Sequence, residues 1–192
     1  MTQSAGDCNR RVSSLGEIDG RALGAGMAKT AEDLFLFLGG LGIETRTHDH
    51  PPLFTVEESR AMRGEIPGLH CKNLFVRDRG KDYFLIVLEE DSRIDLKTLH
   101  EKIGGRGKVS FGSAEALVEL WGVTPGSVTP FGAINDPEGR VRVVVEARLA
   151  SAPAVNFHPL ENSRTTTISG PDLIRFLRAC GHEPLLLALA QA

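Results

Sequence analysis

A mixed α/β domain with a curved, largely antiparallel sheet is what the 192-residue sequence predicts. Three observations carry that reading. Residues 72–78, whose centre alternates, and 83–89 read as two strands joined by the turn "RGKD", which is the pattern of a β-hairpin. Short segments with helix start and stop signals are interleaved with the strands. The glycine loop 126–132 fits neither GxGxxG nor GxxxxGK[ST], so a doubly wound nucleotide fold is not indicated.

In chain order, residues 1–26 are rich in Gly, Ser and Arg without a sustained apolar period, and read as a flexible leader to one domain over 27–192. Met27 stands just before the first convincing helix and is an alternative translation start. In "KTAEDLFLFLGGLG", Thr30 is the expected N-cap, Asp33 follows three residues later, and glycines stop the helix. "GIETRTHDH" alternates as a strand and is closed by Pro51-Pro52. "TVEESRAMRG" opens on the capping box Thr55-x-x-Glu58 and ends on Gly64. The hairpin 72–89 follows, then a helix from about Asp95 to Ile103 halted by Gly104-Gly105, and a short strand in "KVSFG". "SAEALVELWG" has Ser113 as cap and Gly122 as stop, and "VTPGSVTPFG" is a loop. "AINDPEGRVRVVVEARL" reads as a second hairpin turning near Asp136–Gly139. "TTTIS" is strand-like, and "GPDLIRFLRACG" is a last helix with Pro171 in its first turn.

The 41% hydrophobic and 24% charged fractions are those of an ordinary globular chain. At this size roughly 70% of the unfolded surface can be buried, so no covalent staple is needed. Cys8, Cys71 and Cys180 lie far apart with no CxxC spacing, which favours a reducing cytoplasmic setting over a disulfide framework. The longest apolar run, "PLLLALAQA", is too short to span a bilayer. The first residues lack the apolar core of a signal peptide. A formal net charge of −3 argues against sequence-independent binding of duplexes, leaving room for one RNA end met by a local basic patch.

Several residue groups invite a chemical reading. His48-x-His50, with His70 or His158 as a third ligand, falls short of a zinc set: no HExxH or cysteine partner is present, and Pro51-Pro52 makes His50 a turn residue. In His70-Cys71 the neighbours point to opposite faces of a strand, which favours a packed cysteine over a thiol nucleophile. No GxSxG elbow accompanies the serines. "PGSVTPFG" (125–132) could present N–H donors and the Ser127 and Thr129 hydroxyls to a carbonyl or a ribose, or simply connect a helix to a strand. "NFHPLENSRTTTIS" (156–169) is dense in polar groups, with His158 held extended by Pro159, either as a functional imidazole or as a satisfied core histidine. Lys72 and Asn73 put a cation and an amide at the mouth of a strand that otherwise reads as core.

Together, "HPPLFTVEES", "GLHCKNLFVRD", "LWGVTPGSVTPFGAIND" and "NFHPLENSRTTTIS" resemble the YbaK/prolyl-tRNA-editing family over about residues 28–187, and most of all its PrdX-like free-standing subgroup. The resemblance implies a barrel-like sheet wrapped by short helices. It implies hydrolysis, without metal or cofactor, of alanine mischarged onto proline tRNA. Lys72 then matches the family's functional lysine and Asn73 the asparagine after it. Gly126, Ser127, Val128, Thr129 and Pro130 match its GxxxP loop, with Phe131 beside it, and His158 matches the pocket histidine. Cys71 departs from the threonine of many relatives.

An aminoacyl ester is already activated, so the site need only hold it, admit water and stabilise an oxyanion. Lys72 can bind the terminal phosphate or the carbonyl oxygen, Asn73 the substrate, and the amides of 126–130 the oxyanion; the substrate's ribose hydroxyl can orient the water. Attraction separates side chains differing by one methylene by only about 1–3 kcal/mol, so selectivity calls for exclusion by shape, here by His158 and Phe131. Arg77, Arg79, Lys81, Lys97, Lys102, Arg106 and Lys108 are candidates for a basic rim facing a single-stranded acceptor end. The competing readings are a non-catalytic module that binds tRNA or prolyl-tRNA synthetase, and a deacylase for serine or cysteine esters.

Overall fold

A computed structural model describes residues 27–52 and 66–189. The leader and the helix expected at 55–64 lie outside the described residues. Eight strands form one sheet: β1 (Arg46–Asp49), β2 (Leu69–Arg77), β3 (Tyr83–Glu89), β4 (Ser110–Phe111), β5 (Val141–Glu146), β6 (Val155–Phe157), β7 (Arg164–Ile168) and β8 (Leu185–Leu187). Their order is β1-β7-β6-β2-β3-β5-β8, with β4 alongside the far end of β2. The helices are α1 (Ala31–Gly40), α2 (Leu99–Ile103), α3 (Ala114–Trp121) and α4 (Gly170–Ala179), with 3-10 turns at Pro130–Asn135 and Ala147–Ser151.

The expected helix caps form. Thr30 accepts from the Asp33 amide while the Asp33 carboxylate accepts from the Thr30 amide, a closed capping box. Ser113 accepts from the Ala116 amide, and Gly122 ends α3 with φ +69°, a left-handed conformation suited to glycine. A further cap, at a residue the sequence signals did not mark, is Ser169, which accepts from the Asp172 amide at the start of α4.

Alternation along β2 and β3 sorts side chains onto two apolar layers. Val76, Phe84, Ile86 and Leu88 join Leu99, Ile103 and Val144 on one face, with Leu74 packed against them. Phe75, Leu85, Val87, Val143 and Val145 face the other way, onto α1, α3 and α4. Phe84 through Leu88 are all 0% exposed, so β3 is covered on both sides. Each such side chain contributes about 1.5–3 kcal/mol of burial, which makes β3 the fold's anchor.

The mixed α/β class holds, and the sheet itself is mixed: β1–β7, β6–β7, β2–β3 and β2–β4 run antiparallel, while β2–β6, β3–β5 and β5–β8 run parallel. The second hairpin does not form. Only one strand, β5, leaves the turn at Asp136–Gly139, and it pairs in parallel with β3 and β8. The preceding "AIN" ends the 3-10 turn instead, because Phe131, Gly132 and Ala133 are wholly buried and a Cβ on Gly132 would lie 2.2 Å from the Trp121 ring. That segment packs as core and cannot be spared for a strand. The helix expected from Asp95 is shortened to 99–103, its first residues forming a turn with Leu99 N–H donating to the Asp95 carbonyl at 3.0 Å.

Candidate active site

Lys72 and Asn73 are successive residues of β2, so they leave the strand on opposite faces. The Lys72 ammonium donates to the carbonyl of Glu90 at 2.7 Å and to that of Ser92. The turn carrying those carbonyls is fastened by a buried carboxylate. Glu146, 3% exposed, accepts at Oε2 from the Glu89 amide and from the Ser92 hydroxyl, both at 2.9 Å. Arg148 answers the charge: its Nε lies 2.9 Å from Glu146 Oε1, its Nη2 donates to Ser92 Oγ at 2.6 Å, and it also pairs with Glu89. A buried carboxylate is tolerable only with such compensation.

On the other face, Asn73 Nδ2 donates to the Val128 carbonyl at 2.9 Å, while Asn73 Oδ1 is buried with no hydrogen-bond partner among the described residues. The strand mouth is thereby tied to the loop 126–130. Gly126 has φ +92°, a conformation that favours glycine. Ser127 and Thr129 are buried. The Ser127 amide donates to the Thr124 carbonyl at 3.0 Å, and Thr129 Oγ1 accepts from the Phe131 amide at 3.3 Å. Trp121 Nε1 donates to the Thr129 carbonyl at 2.7 Å, locking the loop to α3. Pro130 opens the 3-10 turn. Phe131 is fully buried, edge-on to Phe157 and Phe176.

His158 has other neighbours. Its Nδ1 donates to the Arg164 carbonyl at 2.9 Å, and its ring centroid lies 6.2 Å from that of His50. A carbonyl only accepts, so Nδ1 carries the proton and Nε2 the lone pair of the neutral ring. Burial, with a smaller contribution from His50, holds its pKa below the ordinary value of 6.5. Asn73 and the loop are thus brought together, Lys72 stands across the sheet from them, and the His158 and Phe131 side chains have separate surroundings.

Three other histidines have partners, among them His182 Nε2 on the Asp136 carbonyl at 2.9 Å, whereas His48 Nε2 and His100 Nδ1 are buried without a hydrogen-bond partner among the described residues. His50 contacts the Pro51 carbonyl and Thr165 Oγ1, and His70 Nε2 contacts the Ile66 carbonyl. Among the described residues, no group of three His, Cys, Asp or Glu side chains could hold a metal. Burial, with help from Glu89, Glu146 and Glu90, pushes the Cys71 thiol up to about 12, which leaves it protonated and unsuited to attack. The candidate basic rim is exposed, but Arg77, Arg79, Lys81 and Arg106 gather at the hairpin turn, where Arg106 donates to the Gly80 carbonyl and pairs with Asp82 at 2.9 Å. Arg77 lies five positions along β2 from Lys72, about 17 Å at ~3.3 Å per residue.

Ser92, Glu146, Arg148 and Glu89 went unnoticed in the sequence. The one available signal was Glu146 itself, which continues the inward parity of Val144 at the end of "VVVE".

The aminoacyl-tRNA editing domain model matches residues 50–176, a span that contains every candidate side chain of the site. The chain is 39% identical over 135 residues to the prolyl-tRNA editing protein ProX of Acetoanaerobium sticklandii, covering 70% of this chain and 82% of that one. It is 34% identical over 154 residues to the mouse prolyl-tRNA synthetase associated domain-containing protein 1 (78% and 90% covered). The zebrafish protein of that name is 33% identical over 180 residues (92% and 97%). A solved structure of a proposed trans-editing enzyme for prolyl tRNA synthetase shares the fold with a TM-score of 0.63 at 19% identity, covering 87% of this chain and all of that one. By the extent of the domain match and the identity to these relatives, the chain belongs to the aminoacyl-tRNA editing domain family.

Proposed function

We propose that the protein is a free-standing trans-editing deacylase that hydrolyses the ester joining alanine to the terminal adenosine of mischarged proline tRNA. The observation that carries this reading is the Lys72–Asn73 strand mouth, which faces a held ammonium one way and the Gly126–Pro130 loop the other. Membership of the editing family and the 39% identity to a prolyl-tRNA editing protein support it.

The chemistry asks little of the protein. Water adds to the ester carbonyl, the tetrahedral oxyanion collapses, and the bond to the ribose oxygen breaks as that oxygen takes a proton, releasing alanine and free tRNA. A lysine ammonium has three donors, and among the described residues the carbonyls of Glu90 and Ser92 take two, so the third is offered to the tRNA's terminal phosphate. In the loop, the Ser127 and Phe131 amides are spent internally and Pro130 has none, which narrows the oxyanion donors to Gly126, Val128 and Thr129. Asn73 Oδ1, an acceptor already stripped of water, suits the substrate's ammonium or ribose hydroxyl. His158, neutral and accepting at Nε2, is the proposed selectivity residue.

The test is deacylation of proline tRNA carrying alanine, beside serine, cysteine and proline esters. Rapid loss of the alanyl ester alone is expected. Preferred loss of serine or cysteine would reassign the substrate, and persistence of all four would make the protein a tRNA-binding or synthetase-binding module.

A further inference from the structure

We infer that Ser92 and Glu146 are positioning residues for Lys72, fixing the turn whose backbone carbonyls aim its ammonium. The inference rests on the reading of Lys72 as the working cation of the site. A lysine side chain has about 2 kcal/mol of rotamer entropy to lose before it can point in one direction. Here it is held by two neutral carbonyls, those of Glu90 and Ser92. Two carboxylates of this network are committed elsewhere: Glu146 to the Glu89 amide, the Ser92 hydroxyl and Arg148, and Glu89 to Arg148. Arg148 therefore does the neutralising. Among the described residues Lys72 is oriented by carbonyls and by no carboxylate, so its charge stays available to a phosphate.

The orientation is transmitted through Ser92. Glu146 Oε2 grips the turn at both ends, through the Glu89 amide and the Ser92 hydroxyl. The Ser92 amide closes the turn by donating to the Glu89 carbonyl at 3.0 Å, and the Glu90 amide ties it to the His70 carbonyl at 2.9 Å. Ser92 is 4% exposed and carries both connections: its hydroxyl bridges Glu146 and Arg148, and its carbonyl receives Lys72. Removing the hydroxyl frees the carbonyl to shift while leaving every substrate-facing group in place.

The experiment compares single-turnover deacylation of alanyl-tRNA(Pro) by the full chain, Ser92→Ala, Ser92→Thr, Lys72→Ala and the Lys72→Ala/Ser92→Ala double variant. It also observes the Lys72 side-chain ammonium by nitrogen-detected NMR. Misplacing a catalytic group by about an ångström can cost up to 10²-fold. Ser92→Ala is accordingly expected to slow the saturated rate by roughly tenfold, with half-saturation by tRNA little changed. Ser92→Thr should recover most of that loss. In the Lys72→Ala background the serine substitution should have no further effect, whereas damage to the fold at large would multiply with it. The Lys72 ammonium signal, sharpened by its hydrogen bonds, should broaden in Ser92→Ala. A wild-type rate for Ser92→Ala, fully multiplicative losses, or an unchanged ammonium signal would each overturn the inference. If the wild-type chain deacylates nothing, the proposed function fails instead, and the NMR comparison still decides whether Ser92 holds Lys72.

Discussion

The two sides of the β2 mouth are built from different materials. On the Lys72 side, Glu89, Glu146, Arg148 and the lysine itself form a charge network in which each carboxylate has an assigned cation or donor. On the Asn73 side the groups are neutral: an amide on one backbone carbonyl and an indole on another. The contrast teaches a division of labour. A cation is most useful where its direction is set by dipoles and its charge is left uncancelled, whereas a wall that selects a side chain by shape is best made of rigid, neutral parts.

Removing the cation should break this arrangement most severely. Lys72→Ala is expected to lower single-turnover deacylation by about 10²-fold, the size of misplacing the substrate at the reacting centre, with the urea midpoint little changed because the side chain is only half-buried. A rate within threefold of wild type would show that the charged side is scaffolding. Next in size, Glu146→Ala strands the buried Glu89 amide and Ser92 hydroxyl, and should cost about 3 kcal/mol in urea unfolding. On the neutral side, Gly132→Ala drives a methyl into the Trp121 ring, and overpacking of that kind costs about 1–3 kcal/mol. Its effect on selectivity among esters should exceed that of Glu146→Ala, since it moves the loop and not the lysine. Comparing alanyl and seryl ester rates for the two variants checks this.

The smallest effect is one of pH. His158 resists protonation in the fold, so the unfolded chain binds more protons below the ordinary value of 6.5. Stability is therefore complete above that value and falls as pH drops from 6.5 toward the lowered folded value. His158→Gln should flatten that decline in melting temperature between pH 7 and pH 5 (about the range spanned by histidine titration). An unchanged decline would mean that the acid sensitivity belongs to another group.

Local signals in the sequence reached the elements whose causes are local. α1 and α3 announce themselves by Thr30 and Ser113 at their starts, α4 by Pro171 in its first turn, and β2–β3 by two strand-like runs across a tight turn. β6 and β8 are three residues long, and their definition comes from partners far along the chain, so no local pattern marks them. The second hairpin was misjudged for the same reason: "GRVRVVVEARL" is a good strand, but its partners β3 and β8 are chosen by the core and not by the nearest turn. The site divides likewise. Lys72, Asn73 and the 126–130 loop are legible as motifs, and strand parity already places the first two on opposite faces. Ser92 and Glu146 meet across 54 positions of sequence, which only the folded sheet brings together.

Trp121 is the sole tryptophan of the chain, and its indole rests on Gly132 while donating to the Thr129 carbonyl. The protein thus contains its own fluorophore, wholly shielded from water and wired to the loop proposed to meet the ester. Selective excitation of that ring reads the loop's state without labels, so binding of an aminoacyl-adenosine fragment can be titrated, and its speed followed by stopped flow, from emission alone.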